Sequence, residues 1–541
     1  MAATSKQGEA YPSRTRAGRQ RRPSTQGREE ARSAGGSGII RQHDTAFRVV
    51  EERVNGAHSA TFAFDDDDLL TQAGGLTITR EPASGFVTQA TAGLVTEAWT
   101  YSDYGEVETY TANGPSGALL AHSYVRDDLG RIVEKTETTP EGTRVLVYEY
   151  DLAARLAAVY EDGLLAESYG FDDNGNRLSS LNADGVFDAA FDDQDRLLEY
   201  GDESFTWTDN GELLAKVDTA TGDTTTFAYD AVGNLRGVGL PSGDLVEYLV
   251  DGRGRRVGKK INGALVKGWL WRGQLQPVAE LDGAGNVVAR FVYAGGVNVP
   301  ALMVTPTATY RLVTDHLGSV RRVVDVATGA VAQEVDYDAW GQVLLDTNPG
   351  VQPFGFAGGL YDPDTGLVRF GARDYDAETG RWTAKDPILF GGGVNLLGYV
   401  AADPVNREDP RGLEWGDSSG GSGAPAAFAD PEPTMSVEVF CDEPSSCTEV
   451  SLNTITMPAP LWGPLAEVGF SVGTRLIGLC VPFLFLEGDT ASASSTPYRE
   501  PGAPDPCQQA GVDCQVDCNL PGYTIGQRVV CHQECMRKKG C

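Results

Sequence analysis

Cysteine is missing from the first 440 residues of this 541-residue chain, and all nine cysteines lie from Cys441 onward. Any disulfide staple or thiolate site therefore belongs to the C-terminal end. Residues 2–38 hold no apolar stretch of the roughly 7–15 residues that a secretory signal needs. The expectation is export by a route that reads no such signal, or a true N-terminus further upstream. Positive charge is also scarce. The formal net charge is −32; residues 1–43 carry nine Lys/Arg against three acidic residues, which leaves the remainder near −38. An acidic body repels phosphate backbones, which argues against nucleic-acid binding by the core. No HExxH or P-loop element is present, and helical periodicity is nearly absent before residue 413. A chain this long predicts two or three folding units.

What is present is repetition. A unit of an aromatic or Val, often Asp, two variable residues, a turn residue and an apolar position recurs from about Thr61. Copies include Phe64-Asp65-x-x-Asp68-x-Leu70, Phe171-Asp172-x-x-Gly175, Phe191-Asp192-x-x-Asp195, Tyr229-Asp230-x-x-Gly233 and Val250-Asp251-x-x-Gly254. From Tyr150 the units lie about 16–22 residues apart, a length that suits two short strands and two turns. Gly or Asp in the fifth place suits positive φ, and the preceding Asp can hold the turn by accepting backbone N–H groups. Flanking segments such as Thr143–Tyr150 alternate in the strand manner. The predicted class is all-β. Within this register the acidic run Asp65–Asp68 reads as turn and solvated surface, and it lacks the alternating spacing of a calcium loop. His316 reads as a histidine packed on a strand and hydrogen-bonded locally, since no nucleophile lies near it in sequence.

The ordered set of units resembles the YD repeat of Rhs proteins over about Thr61–Leu413. Tyr310–Arg321 and Tyr337-Asp-Ala-Trp-Gly341 resemble the segment that precedes the end of Rhs cores. The resemblance implies a long antiparallel β-sheet that spirals into a hollow shell, here with few enough repeats to leave the wall open or partial. The implied layout is a disordered basic stretch at 1–43, a YD-repeat core at 44–413 with a terminal self-cleavage region from about 310, a flexible linker at 414–435 and a variable tail at 436–541. A small Cys-rich, partly helical unit at 507–541 ends that tail.

Asp386-Pro387 and Asp409-Pro410-Arg-Gly-Leu413 lie 23 residues apart, counted between the two Asp. Two carboxylates brought together share a proton, so one can act as base on water and the other as acid towards a peptide carbonyl. Bare spacing permits this, and it equally permits the Asp-Pro pairs to be simple turn starters. The segment also resembles the end of Rhs cores and of the C subunits of insecticidal Tc toxins, where an Arg and two Asp form an aspartyl self-protease. The resemblance places the Arg on Arg373 of Gly371-Ala-Arg-Asp-Tyr-Asp376, the carboxylates on Asp386 and Asp409, and the scissile bond between Leu413 and Glu414. Arg381 is the weaker alternative for the Arg. Leu397 and Ala402 depart from the family pattern, where an aromatic and Asn are usual.

The 128 residues after Leu413 open with the linker-like Gly416-Asp-Ser-Ser-Gly-Gly-Ser-Gly. They carry 16 acidic and 6 basic residues, which mildly opposes a nuclease cargo. Residues 464–486 are largely apolar and about long enough to span a membrane. Glu467, Gly473, Arg475 and Pro482 interrupt them, so a buried element is the favoured reading. Cys514-x-x-x-Cys518 and Cys531-x-x-x-Cys535 place each pair one helical turn apart. Two disulfides would staple a helical hairpin, with Cys507 and Cys541 bracketing it, Cys441 closing on Cys447 and Cys480 left over. A zinc site from the same four cysteines or His532 stays open as the rival.

Three readings of function follow. The first is an Rhs-type toxin-delivery shell that cuts itself and releases a C-terminal effector, with its own tail as enclosed cargo and no cofactor. It would be made in a bacterial cytoplasm, secreted or held at the cell surface, and accompanied by an immunity protein and secretion components. The second is a non-enzymatic surface protein that uses the repeats as a wall. The third is a displaced C-terminal fragment of a longer toxin.

Overall fold

A computed structural model of the chain describes residues 28–32, 38–56 and 58–417. The linker beyond Asp417 and the tail lie outside the described residues. So do the disulfide candidates Cys441, Cys447, Cys507, Cys514, Cys518, Cys531, Cys535 and Cys541, with Cys480, His532 and the apolar stretch at 464–486.

The turn chemistry builds the fold. In the unit at Val250, Asp251 Oδ1 accepts from the backbone N–H groups of Arg253 and Arg255 at 2.9 and 3.1 Å. Gly254 stands at φ +76°, a region that costs any residue with a Cβ. Its N–H donates to Asp251 O at 3.0 Å and closes the turn. The strand register slips by one residue between Leu249 and Val250, a bulge that adds twist to the sheet. Arg255 folds back onto Asp251 Oδ2 at 2.7 Å, and its other nitrogen reaches Gly273 O in the next turn at 2.8 Å. The same device recurs where Arg155 pairs with Asp151 at 2.7 Å and lies 4.9 Å from the Phe171 ring of the following unit. These turns are thus tied to their successors.

Among the described residues thirty-one strands form one sheet, and each pairs antiparallel with its neighbour in sequence, from Arg28–Arg32 with Gly38–His43 to Val331–Tyr337 with Val343–Asp346. The alternating stretch at Thr143 becomes the strand Gly142–Tyr150, which buries Leu146 and Tyr148 on one face. The sheet curls, so its early and late strands meet. Leu94 N–H donates to Val326 O at 2.8 Å. Glu97 accepts from Arg311 at 2.9 Å and Glu137 from Arg321 at 2.9 Å. One apolar cluster joins Leu120, Ile132 and Leu156 to Val313, Val324 and Trp340. Each such fully buried aliphatic side chain contributes roughly 1.5–3 kcal/mol.

A second, four-stranded sheet follows: Leu360–Tyr361, Leu367–Phe370, Arg373–Asp376 and Arg381–Trp382. It docks on the strands between residues 203 and 261. Asp374 meets Arg256 at 2.8 Å, Asp362 accepts from Tyr248 at 2.6 Å, and Lys216 reaches Glu378 at 2.6 Å.

Two boundaries differ from the sequence reading. Strands at Arg28–Arg32 and Gly38–His43 lie inside the stretch 1–43 read as disordered. Ile39 is the reason at the second: it is buried with Val54, Val278 and Phe291. Residues 416–417, read as part of the linker, instead form the strand Gly416–Asp417 paired with Arg407–Glu408. Asp409–Trp415 is the loop of that hairpin.

Candidate active site

Alternation along one short strand splits two tasks. On Arg373–Asp376, Asp374 points to the wall and is held there by Arg256 and Arg369, each at 2.8 Å. Arg373, its neighbour, points the other way, into the loops that carry Asp386 and Asp409. Its Nη2 lies 2.8 Å from Asp386 Oδ2 and 3.3 Å from Asp409 Oδ2. Its Nε donates to Gly412 O at 2.6 Å and its Nη1 to Leu396 O at 3.3 Å. The Trp382 ring lies 4.2 Å from the guanidinium carbon. All three charged residues are buried, at 4% exposure for Arg373 and Asp386 and 2% for Asp409. The structure brings together the three residues named from the sequence.

The loop that presents Leu413 is a turn first. Gly412 N–H donates to Asp409 O at 3.1 Å, with Pro410 second and Gly412 fourth in the turn. Asp409 starts this turn and also faces Arg373. Gly412 has φ +62°, and a Cβ there would fall 2.4 Å from Phe370 O. Glycine is required for the loop to lie flat on the strand. Asp409 Oδ1 accepts the Leu413 N–H at 3.0 Å. Leu413 is half-buried and Glu414 exposed, so their peptide bond lies at the rim of the site.

Burial pushes the Asp386 carboxyl above the ordinary carboxylate range, and the charge of Glu414 adds to it; Arg373 and the Ile388 N–H pull the other way. Burial also raises Asp409, against the Leu413 N–H and Arg373, with Asp386 adding to the rise. Burial lowers Arg373 against its two carboxylates. In all three groups burial is the largest cause, and it disfavours the charged form.

Arg381 takes no part in the cluster. It donates to Asn176 Oδ1 at 3.0 Å and Asp195 O at 2.5 Å and lies over the Phe191 ring at 4.8 Å, so it anchors the terminal sheet to the wall. His316 is half-buried and hydrogen-bonds to Val405 O at 2.8 Å, a partner 89 residues away rather than a local one. Burial lowers its pKa to about 4, which keeps it neutral. Asp65 Oδ1 caps its own turn through Asp67 and Leu69, and Asp68 pairs with Arg48 at 2.6 Å. Leu397 is buried and its carbonyl accepts from Trp382 N–H at 3.0 Å. Ala402 has φ +59°, a conformation that Asn adopts more readily than Ala. Sequence reasoning missed Trp382 and Gly392; the run Gly391-Gly392-Gly393 was the available signal for the latter.

A meander of Asp-capped turns, followed by a terminal sheet whose Arg373 faces two buried Asp on the loops beyond it, defines a YD-repeat, Rhs-like protein. The chain belongs to the Teneurin YD-shell family, whose model matches residues 39–391. Asp409 and Leu413 lie beyond that match. Teneurin-4 of Mus musculus is 31% identical over 309 residues, covering 56% of this chain and 11% of the relative. Double-stranded DNA deaminase toxin A of Burkholderia cenocepacia is 29% identical over 368 residues, covering 60% and 25%. Toxin protein Tse5 of Pseudomonas aeruginosa is 25% identical over 385 residues, covering 59% and 29%. The chain thus spans less than a third of each of these relatives. The Photorhabdus luminescens Tc holotoxin pore matches with a TM-score of 0.55 at 14% identity, covering 71% of this chain and 22% of the other. A TcdB2–TccC3 crystal structure matches at 0.53 and 15%, covering 70% and 22%. These solved structures share the fold. Among the described residues no helix is long and apolar enough to cross a membrane.

Proposed function

We propose that this chain is a toxin-type YD shell that hydrolyses its own Leu413–Glu414 bond once and frees the segment that follows. The observation that carries the reading is the Arg373 guanidinium between Asp386 and Asp409, with Leu413 bonded to one carboxylate and its carbonyl beside the other. A Cβ built on Gly392 would lie 2.4 Å from Leu413 O and 2.5 Å from Asp386 Oδ2, so both oxygens face one point. Asp386, protonated, is the acid towards the Leu413 carbonyl oxygen. Asp409 is the base that takes a proton from water as the water oxygen bonds to the carbonyl carbon. Collapse of the diol returns a proton to Asp386 and breaks the C–N bond as the nitrogen of Glu414 takes the proton held by Asp409, leaving a Leu413 carboxyl group and a new amine. Arg373 holds both carboxylates and tethers Gly412 O, which fixes the bond to be cut.

The toxin relatives support the further proposal that the freed 414–541 segment is an effector delivered outside the producing cell, with a secretion apparatus and an immunity protein as partners. The teneurin matches support a second reading, a wall with no chemistry. Intact-mass measurement of the pulse-labelled chain separates the two. Wild type should yield fragments ending at Leu413 and starting at Glu414, whereas Asp386→Asn and Asp409→Asn should stay full length. A wild-type chain that remains whole would leave the wall reading standing.

A further inference from the structure

We infer that the missing side chain of Gly392 is a steric requirement of the cleavage site: it lets the Leu413 carbonyl and the Asp386 carboxyl meet. The inference rests on the self-cleavage reading above. A Cβ at this position would stand 2.4 Å from Leu413 O, 2.5 Å from Asp386 Oδ2 and 3.3 Å from Asp386 Cγ. Neither oxygen is free to withdraw. Asp386 is fixed by Arg373 at 2.8 Å and by the Ile388 N–H at 2.9 Å, and Leu413 is fixed through its N–H on Asp409 at 3.0 Å.

Backbone conformation does not explain this glycine. Gly392 has φ −89° and ψ −8°, a region open to every L-residue. The flanking glycines differ from it. A Cβ on Gly391 would meet only the Ile388 side chain, at 3.1 Å or more, and one on Gly393 would meet nothing within 4 Å, though its φ is +144°. Within this run, space against the site is demanded at position 392 alone. A methyl group there would overlap both oxygens, so the carbonyl, the carboxyl or both must shift from where they stand. Gly392 is therefore a positioning residue that acts by keeping acid and carbonyl in reach.

The experiment is a pulse-chase of full-length wild type, Gly392→Ala and Gly391→Ala. Intact mass is read against time from pH 4 to 9, with a thermal melt of each chain carrying Asp409→Asn to block cleavage. Gly392→Ala should slow cleavage by roughly 100-fold, the scale of an ångström misplacement at a reacting centre, while the chain still melts in a cooperative transition. Gly391→Ala should cleave as wild type does. Wild-type cleavage should slow as pH rises and Asp386 loses its proton; the residual Gly392→Ala rate should lack that limb. Equal rates for Gly392→Ala and wild type overturn the inference while leaving the protease reading intact. Equal slowing in both alanine variants, with lowered melting, overturns it as well. An uncut wild type removes the reading beneath it.

Discussion

Ala154 occupies the fifth place of its repeat with φ +63°, where Gly254 stands at φ +76° in the equivalent turn. A Cβ in this region costs about 1–2 kcal/mol, partly offset by the extra freedom glycine gives the unfolded chain. Ala154→Gly is expected to raise stability by about 0.5–1 kcal/mol, seen as a higher urea midpoint at unchanged slope; a lower midpoint would reject the strain. This position was legible in the sequence because φ is a local property and the repeat supplies its own register. Gly392 was not legible by the same route. Its constraint comes from Asp386 and from Leu413 O, groups that no turn rule connects to it.

At the scale of the element, the Asp-capped turn is the unit of stability. Asp251 is held below the ordinary carboxylate range: burial opposes this, but Arg255 and the N–H groups of Arg255 and Arg253 outweigh it. A carboxyl depressed by folding stabilises above its ordinary pKa, and that stability is lost as pH falls through the folded value. Asp251→Ala should therefore cost about 1–2 kcal/mol at pH 7, as loss of a helix cap does, and progressively less as pH falls below about 4. Hydrogen exchange at Arg253 and Arg255 should quicken in the variant; unchanged protection would show that the strands alone hold the turn. The strand pattern was readable from alternation wherever the repeat ran. It failed at Gly38–His43, where one buried Ile39 among Gly, Arg, Gln and His gives too short a pattern. It failed again at Gly416–Asp417, whose partner is Arg407–Glu408 across the cleavage loop.

At the scale of the molecule, Glu137 clamps the early wall to the late one. It accepts from His122 at 2.9 Å, Arg144 at 2.6 Å and Arg321 at 2.9 Å, and is 1% exposed. Its carboxyl is driven far below the usual range, because Lys135, His122 and Arg321 outweigh the burial that opposes it. Glu137→Gln would leave buried cations short of a partner and should cost about 3–5 kcal/mol near neutral pH. The loss should persist well below pH 4, since the native group keeps its charge there; a melting temperature within about 2 °C of wild type would refute the clamp. No spacing rule announces a contact between residues 184 apart; the spiral of the wall was an expectation of the resemblance, and the structure supplies the contacts that close it. The site residues were legible in the same way, since a resemblance carries long-range geometry that spacing cannot.

The docking of the terminal sheet on the strands between 203 and 261 has a consequence for timing. Each strand of the wall pairs with the one made just before it, so the wall can grow hairpin by hairpin as the chain leaves the ribosome. The short terminal strands cannot stand alone. Asp374 needs Arg256, Asp362 needs Tyr248 and Lys259, and Thr383 O takes the backbone N–H of Leu213. Arg373 is aimed only once those contacts exist. Under the proposed chemistry, the cut waits for a finished wall, and a chain that stalls or misfolds upstream keeps its tail attached.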